Sequence, residues 1–131
     1  MTENEIGKLV VDSAIAVHRE LGPGLLESVY EVILAHRLRQ HGLRVERQVP
    51  IPIEYQGVKF DEAFRADIAD IMVEGKVVLE LKSVEQVTRV HKKQLQTYLR
   101  LTGFKLGFLL NFGEGLMKRG ITRAVNGLPD E

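Results

Sequence analysis

A chain of 131 residues, 44% hydrophobic and 27% charged, has the composition of an ordinary globular domain long enough to bury its own core. The lack of cysteine excludes disulfides and thiolate metal sites, and no apolar run approaches the roughly 18 residues of a membrane span. The net charge of zero conceals an asymmetry: residues 1–75 carry 8 Lys and Arg against 13 Asp and Glu, whereas residues 76–123 carry 10 against 3.

The N-terminal "MTENEIGK" has no basic and then apolar leader, which sets the expectation of a cytoplasmic protein. "TENEIGKLVVDSAIAVHREL" reads as a helix. Thr2 and Glu5 make a capping-box pattern, and Ile6, Leu9, Val10, Ala14, Val17 and Leu21 recur at helical spacing. Gly22-Pro23-Gly24 breaks the chain. A second helix is predicted over Leu26 to Gln40, with an apolar stripe of Leu26, Val29, Tyr30, Ile33, Leu34 and Leu38 and Gly42 as its C-terminal cap.

From Arg44 the period changes to two. "RVERQVPIPIEY" is predicted as one edge strand, because Pro50 and Pro52 lack backbone donors. Gln56-Gly57 is a turn. "FRADIADIMV" and "KVVLELKS" are two further strands around a tight turn at Glu74-Gly75. A third helix is predicted from Thr88 to Thr102, with Leu95, Tyr98, Leu99 and Thr102 on one face and Gly103 closing it. "KLGFLLNF" reads as a central strand buried on both faces, and "MKRGITRAV" as a last edge strand. The expectation is a single α/β domain over residues 1–131, a mixed sheet flanked by helices in the order ααβββαβ, with one further edge strand.

Within "VVLELKS", Glu80 and Lys82 stand on one face of a strand while Leu79 and Leu81 point the other way. A three-residue turn at Glu74-Gly75-Lys76 sets Asp70 opposite Glu80. Like charges placed so repel, and a divalent cation between them makes the arrangement favourable. Two hard carboxylates suit Mg²⁺ or Mn²⁺, and Lys82 could then stabilise charge on a phosphate or orient a water. A partly buried Glu80–Lys82 pair, or a sheet edge where both reach solvent, is the structural alternative.

Asp70 followed by Glu80-Leu81-Lys82 resembles the D…E-x-K core of the PD-(D/E)xK nuclease superfamily. "GPGLLESVY", with Gly24, Glu27 and Tyr30, is similar to the signature of the GxxExxY family within it. "VHKKQLQTYLRLTGFKLGFLLNFG" is similar to that family's C-terminal half, so the likeness runs from about Ile6 to Val125. The resemblance implies a restriction-endonuclease-like core and a metal-dependent nuclease. Asp70, Glu80 and Glu27 would be ligands of Mg²⁺ (or Mn²⁺), Glu27 directly or through water. Lys82 would be the catalytic lysine, acting with Asp70 and Glu80, and Gln94 would bond near the site or to substrate phosphate. Tyr30, at i+3 from Glu27, would help position it or serve simply as a core aromatic.

This chain departs from the family pattern in two places. Ala69 stands where the superfamily's proline precedes the aspartate, and "RADIAD" contains Asp67 as well as Asp70. A two-residue turn at Glu74-Gly75 would bring Asp67 opposite Lys82 instead, so Asp67 is the substitute for Asp70.

The implied partner is nucleic acid, DNA ahead of RNA, and no membrane. The basic stretch Arg89, Lys92 and Lys93 near a helix start suits phosphate. So small a domain has little surface for choosing a substrate, which a partner or a homodimer would supply. The rival reading is a catalytically silent nuclease-fold protein that binds nucleic acid or another partner. His18, His36 and His41 show no paired metal spacing and read as structural. His91 faces solvent or a phosphate. Neither a nucleotide-binding glycine loop nor an aromatic ladder for stacking single strands is visible in the sequence.

Overall fold

The structure, a computed structural model, describes residues 1–50, 53–60 and 68–128. Helix α1 (Glu3–Leu21) opens on the Thr2–Glu5 capping box: the Glu5 N–H donates to Thr2 Oγ1 at 3.2 Å, and the Thr2 N–H to Glu5 Oε1 at 2.9 Å. Its buried stripe is Ile6, Val10, Ala14 and Val17. Gly7 lets the helix close on the sheet, since a Cβ there would stand 3.1–3.3 Å from Leu106 and Phe108.

Helix α2 (Glu27–Gln40) buries Tyr30, Leu34, Ala35 and Leu38. The predicted stripe is corrected at its start: Leu26 is 75% exposed and only caps the helix, and Val29 is exposed too. The buried face is turned so that Glu31 goes inside in place of Val29.

Strand β1 (Val45–Pro50) is followed by a separate hairpin, β2 (Ile53–Tyr55) and β3 (Val58–Phe60). The single long strand expected over this stretch is therefore two. The Gln56-Gly57 turn holds, with both residues at positive φ (51° and 76°), and it returns the chain as a strand that the sequence reading missed. Strands β4 (Ile68–Val73) and β5 (Val77–Lys82) form the next hairpin. Its loop is the three residues Glu74, Gly75 and Lys76, with Val73 paired to Val77. The Phe64–Asp67 part of the expected strand lies outside the described residues.

Helix α3 (Arg89–Thr102) and strand β6 (Leu106–Asn111) follow, then a one-turn helix α4 (Met117–Gly120) and strand β7 (Ile121–Val125). The first four residues of the expected last strand are thus helical.

The main sheet has the order β1-β4-β5-β6-β7, with β5 and β6 parallel and the other pairs antiparallel. Helices α1 and α2 bury one face, where Ile6, Tyr30 and Leu34 share a cluster with Ile71, Leu79 and Leu110. On the other face Leu95 and Leu99 of α3 pack against Leu109 and Ala124. All six residues of β6 are buried, as expected of a central strand covered on both sides. The result is a mixed α/β core of restriction-endonuclease-like type: a five-stranded sheet between helices. Among the described residues no helix is long and apolar enough to cross a membrane.

Candidate active site

The β4–β5 ladder stops at the Ile71–Leu79 pair, while β5 and β6 stay paired as far as Lys82 and Asn111. One step past that last pair come Asp70 and Glu80. The carboxyl of Asp70 takes over where backbone pairing ends, its Oδ2 accepting the Leu81 N–H at 2.8 Å. Its side chain is also hydrogen-bonded to that of Glu80. The opening of two strands thus places two carboxyls in contact on rigid backbone.

Their electrostatics follow from that contact. Burial, then the Asp70 charge, push Glu80 up to about 8, against the opposing pull of Lys82. Asp70 is raised as well, first by burial and then by Glu31 and Glu27, with the Leu81 N–H and Lys82 working the other way. Two partly desolvated carboxyls side by side form a donor set suited to a hard divalent ion. Lys82, half-buried one side-chain step along β5, brings its positive charge to bear on both.

Glu27 sits exposed in the first turn of α2, near enough for its charge to act on both carboxyls. It also lines a cleft of about 480 Å³ with Leu25, Ser83 and Gly113. Among the described residues no three His, Cys, Asp or Glu side chains are grouped closely enough to hold a metal ion, so Glu27 stands outside a ready ligand set. Gln94 is exposed on the second turn of α3. Asp67 lies outside the described residues.

The loop that delivers Glu27 is fastened from below. Tyr30 is fully buried and stacks on Phe112, with ring centroids 4.4 Å apart. Its hydroxyl donates to the Gly22 carbonyl at 2.5 Å and accepts the Leu25 N–H at 3.1 Å. It is therefore a core aromatic and a loop anchor at once. Ser83 Oγ, at the end of β5, donates to the Leu25 carbonyl at 2.6 Å. Buried Asn111 clamps the next residues: Nδ2 donates to the Val84 carbonyl at 3.0 Å, and Oδ1 accepts the Val84 and Gly113 N–H groups at 3.1 and 3.0 Å.

Sequence reasoning missed Glu31. It is 5% exposed and held by three donors: Arg47 Nη2 at 2.7 Å and Nε at 2.9 Å on one oxygen, and Gln48 Nε2 at 2.6 Å on the other. Gln48 has φ 53° and drops out of the β1–β4 register at the place facing Asp70, between the Arg47–Ile71 and Val49–Ala69 pairs. The signal available was the i,i+4 spacing of Glu27 and Glu31, which puts both carboxylates on one side of α2.

The histidines have structural partners where these are visible. His18 is buried with Nε2 2.7 Å from the Glu114 carbonyl oxygen. His41 lies just past α2 as its exposed C-cap. His91 is partly exposed, and its Nδ1 accepts the Thr88 N–H at 3.2 Å and completes the cap of α3.

Comparison with curated proteins and with solved structures returns no match. The model of one family, the PD-(D/E)XK nuclease superfamily, matches residues 4–124.

Proposed function

The chain belongs to the PD-(D/E)XK nuclease superfamily, and from that premise we propose that it hydrolyses nucleic-acid phosphodiester bonds at the Asp70–Glu80–Lys82 cluster. The observation that carries the proposal is the contact of two half-buried carboxyls where β4 and β5 part, beside a lysine on the same strand as Glu80. Gly24, Glu27 and Tyr30 support a finer placement in the GxxExxY family. Members of the superfamily generally use divalent metals, and Asp70 and Glu80 are the residues that would hold one here, with Glu27 reaching it through water. A bound Mg²⁺ or Mn²⁺ neutralises charge on the scissile phosphate and makes water a better nucleophile.

The chain's own groups account for the rest. The Leu81 N–H fixes the orientation of Asp70, so one carboxylate enters the site already aimed. Lys82 meets negative charge as it builds on the phosphate. Gln94, exposed on α3, offers a neutral donor to a phosphate oxygen.

The alternative, a protein that keeps the fold and binds without cutting, is favoured by one observation: among the described residues Glu27 is not part of a three-residue ligand group. One experiment decides between them. Mg²⁺ and Mn²⁺ are titrated into wild type and Glu80→Gln by calorimetry, and both proteins are assayed on single- and double-stranded DNA and RNA. Cation binding and cleavage that both vanish in Glu80→Gln are the expected result. Metal-independent cleavage defeats the mechanism, and cation binding without any cleavage selects the alternative.

A further inference from the structure

The hairpin of β2 and β3 stands apart from the main sheet. Its register pairs Ile53 with Phe60, Glu54 with Lys59 and Tyr55 with Val58. Alternation therefore puts Tyr55, Val58 and Phe60 on one face of the ribbon and the Glu54–Lys59 pair on the other. All three apolar side chains are open to solvent: Tyr55 57%, Val58 54% and Phe60 44%. A two-stranded ribbon has no core of its own, so nothing within it covers two aromatic rings on one side.

The topology fixes where this face lies. Strand β1 ends at Pro50, paired with Ile68, two residues before Asp70. Strand β4 runs antiparallel to β5, so the Ile68 end of β4 is the Lys82 end of β5. The ribbon is thus inserted at the end of the sheet that carries Asp70, Glu80 and Lys82. Helix α3 starts at that same end, and β2 packs against it. The first turn of α3 exposes Arg89, Lys92 and Lys93. Aromatic faces and exposed cations are therefore carried at the same end of the sheet as Asp70, Glu80 and Lys82.

We propose that the β2–β3 ribbon is a stacking platform for unpaired bases, and that the substrate carries a single-stranded segment beside the bond to be cut. The identity of the ligand as nucleic acid rests on the nuclease reading; the mode of capture is new. Every base has a π face, so Tyr55 and Phe60 can stack on bases regardless of sequence while the lysines and arginine follow the backbone. Reading an intact duplex groove would need polar groups aimed at base edges, and this face offers little besides one phenol. A second copy of the chain fits less well, because three side chains fall far short of the roughly 800 Å² that a stable interface takes from each partner.

The test is fluorescence anisotropy of a labelled thymidine oligonucleotide and of a blunt duplex of the same length, in EDTA to prevent cutting. Wild type, Tyr55→Ala/Phe60→Ala and Tyr55→Phe are compared, with thermal unfolding to confirm that the exposed changes leave the fold intact. Hydrolysis of bis(p-nitrophenyl) phosphate, which has no base, is followed in parallel with Mn²⁺. Wild type should prefer the single strand, the double variant should lose that affinity at least about tenfold, and Tyr55→Phe should keep it.

Equal affinity of wild type and the double variant, or no preference for the single strand, overturns the inference. So does a dimer seen by sedimentation that the double variant abolishes, since the face would then be taken up by self-association. Ribbon-dependent binding of the single strand by a protein that, with Mn²⁺ in place of EDTA, cuts neither the oligonucleotides nor bis(p-nitrophenyl) phosphate would uphold the platform and end the nuclease reading instead.

Discussion

Burial and the neighbouring carboxyl of Asp70 hold the proton on Glu80 up to about pH 8, far above its ordinary value of 4.5. Between those two values the folded state keeps a proton that the unfolded chain has released. Stability of the metal-free protein therefore falls as pH rises through this window, by at most about 1.4 kcal/mol per pH unit. Asp70, raised too, adds in the same direction. Thermal unfolding in EDTA from pH 6 to 9 should show a falling midpoint that flattens in Glu80→Gln. Identical profiles for the two proteins would mean that the carboxyl is already ionised in the fold. Lys82 has a different task on the same strand. Lys82→Ala should leave cation affinity unchanged or slightly higher, because a like charge is removed, while turnover drops on the order of 10²–10³-fold. Full activity in that variant would remove Lys82 from the mechanism.

At the scale of elements, the site is a meeting of chain segments that are each fastened to a neighbour. The α2 carboxylate Glu31 is clamped by Arg47 and Gln48 of β1, the strand next to the one that carries Asp70. Arg47→Met would leave the buried Glu31 charge without its cation and with only the Gln48 amide as donor, at a cost of about 3 kcal/mol, the low end for such a break because Arg47 is 35% exposed and Gln48 remains. Adding Glu31→Gln should recover much of that loss, so the two changes together cost less than their sum in urea unfolding. Strict additivity would mean that the pair contributes nothing. The Gly22–Leu25 loop depends similarly on one hydroxyl. Tyr30→Phe keeps the stack on Phe112 but deprives the Gly22 carbonyl and the Leu25 N–H of their partner, which should cost about 1–2 kcal/mol. Catalysis should fall further than stability alone explains, since Glu27 rides on that loop. Activity of Tyr30→Phe that simply tracks its folded fraction would make the tyrosine structural only.

For the molecule as a whole, a cation bound between Asp70 and Glu80 would couple the sheet to the α2 loop and favour the native state. At a hundred times its dissociation constant a ligand adds about 2.7 kcal/mol. Mn²⁺ or Mg²⁺ should therefore raise the unfolding midpoint by several degrees, more at pH 8.5 than at pH 6, because the cation must displace the proton held on Glu80. Glu80→Gln should abolish the rise. A rise that persists in Glu80→Gln would place the bound cation elsewhere.

The sequence determined the alternation of β5, the helix caps at Thr2 and Gly103, the buried character of β6 and the edge position of β1. Each of these depends on residues within a few positions of one another, where backbone period and hydrogen-bonding chemistry act directly. The three-residue turn was enough to set Asp70 opposite Glu80 on paper, because hairpin register is a local count. Other features depend on contacts between residues far apart in the chain. The buried face of α2 could be turned toward Glu31 only once Arg47 and Gln48 of β1 were beside it. The raised proton affinity of Glu80 comes from desolvation, and burial is decided by every layer packed around a residue rather than by its neighbours in sequence. No aromatic ladder is visible in the sequence around Tyr55 and Phe60. Only the hairpin pairing of β2 with β3 put both rings on one face, and only the sheet topology placed that face at the end where two carboxyls and a lysine meet.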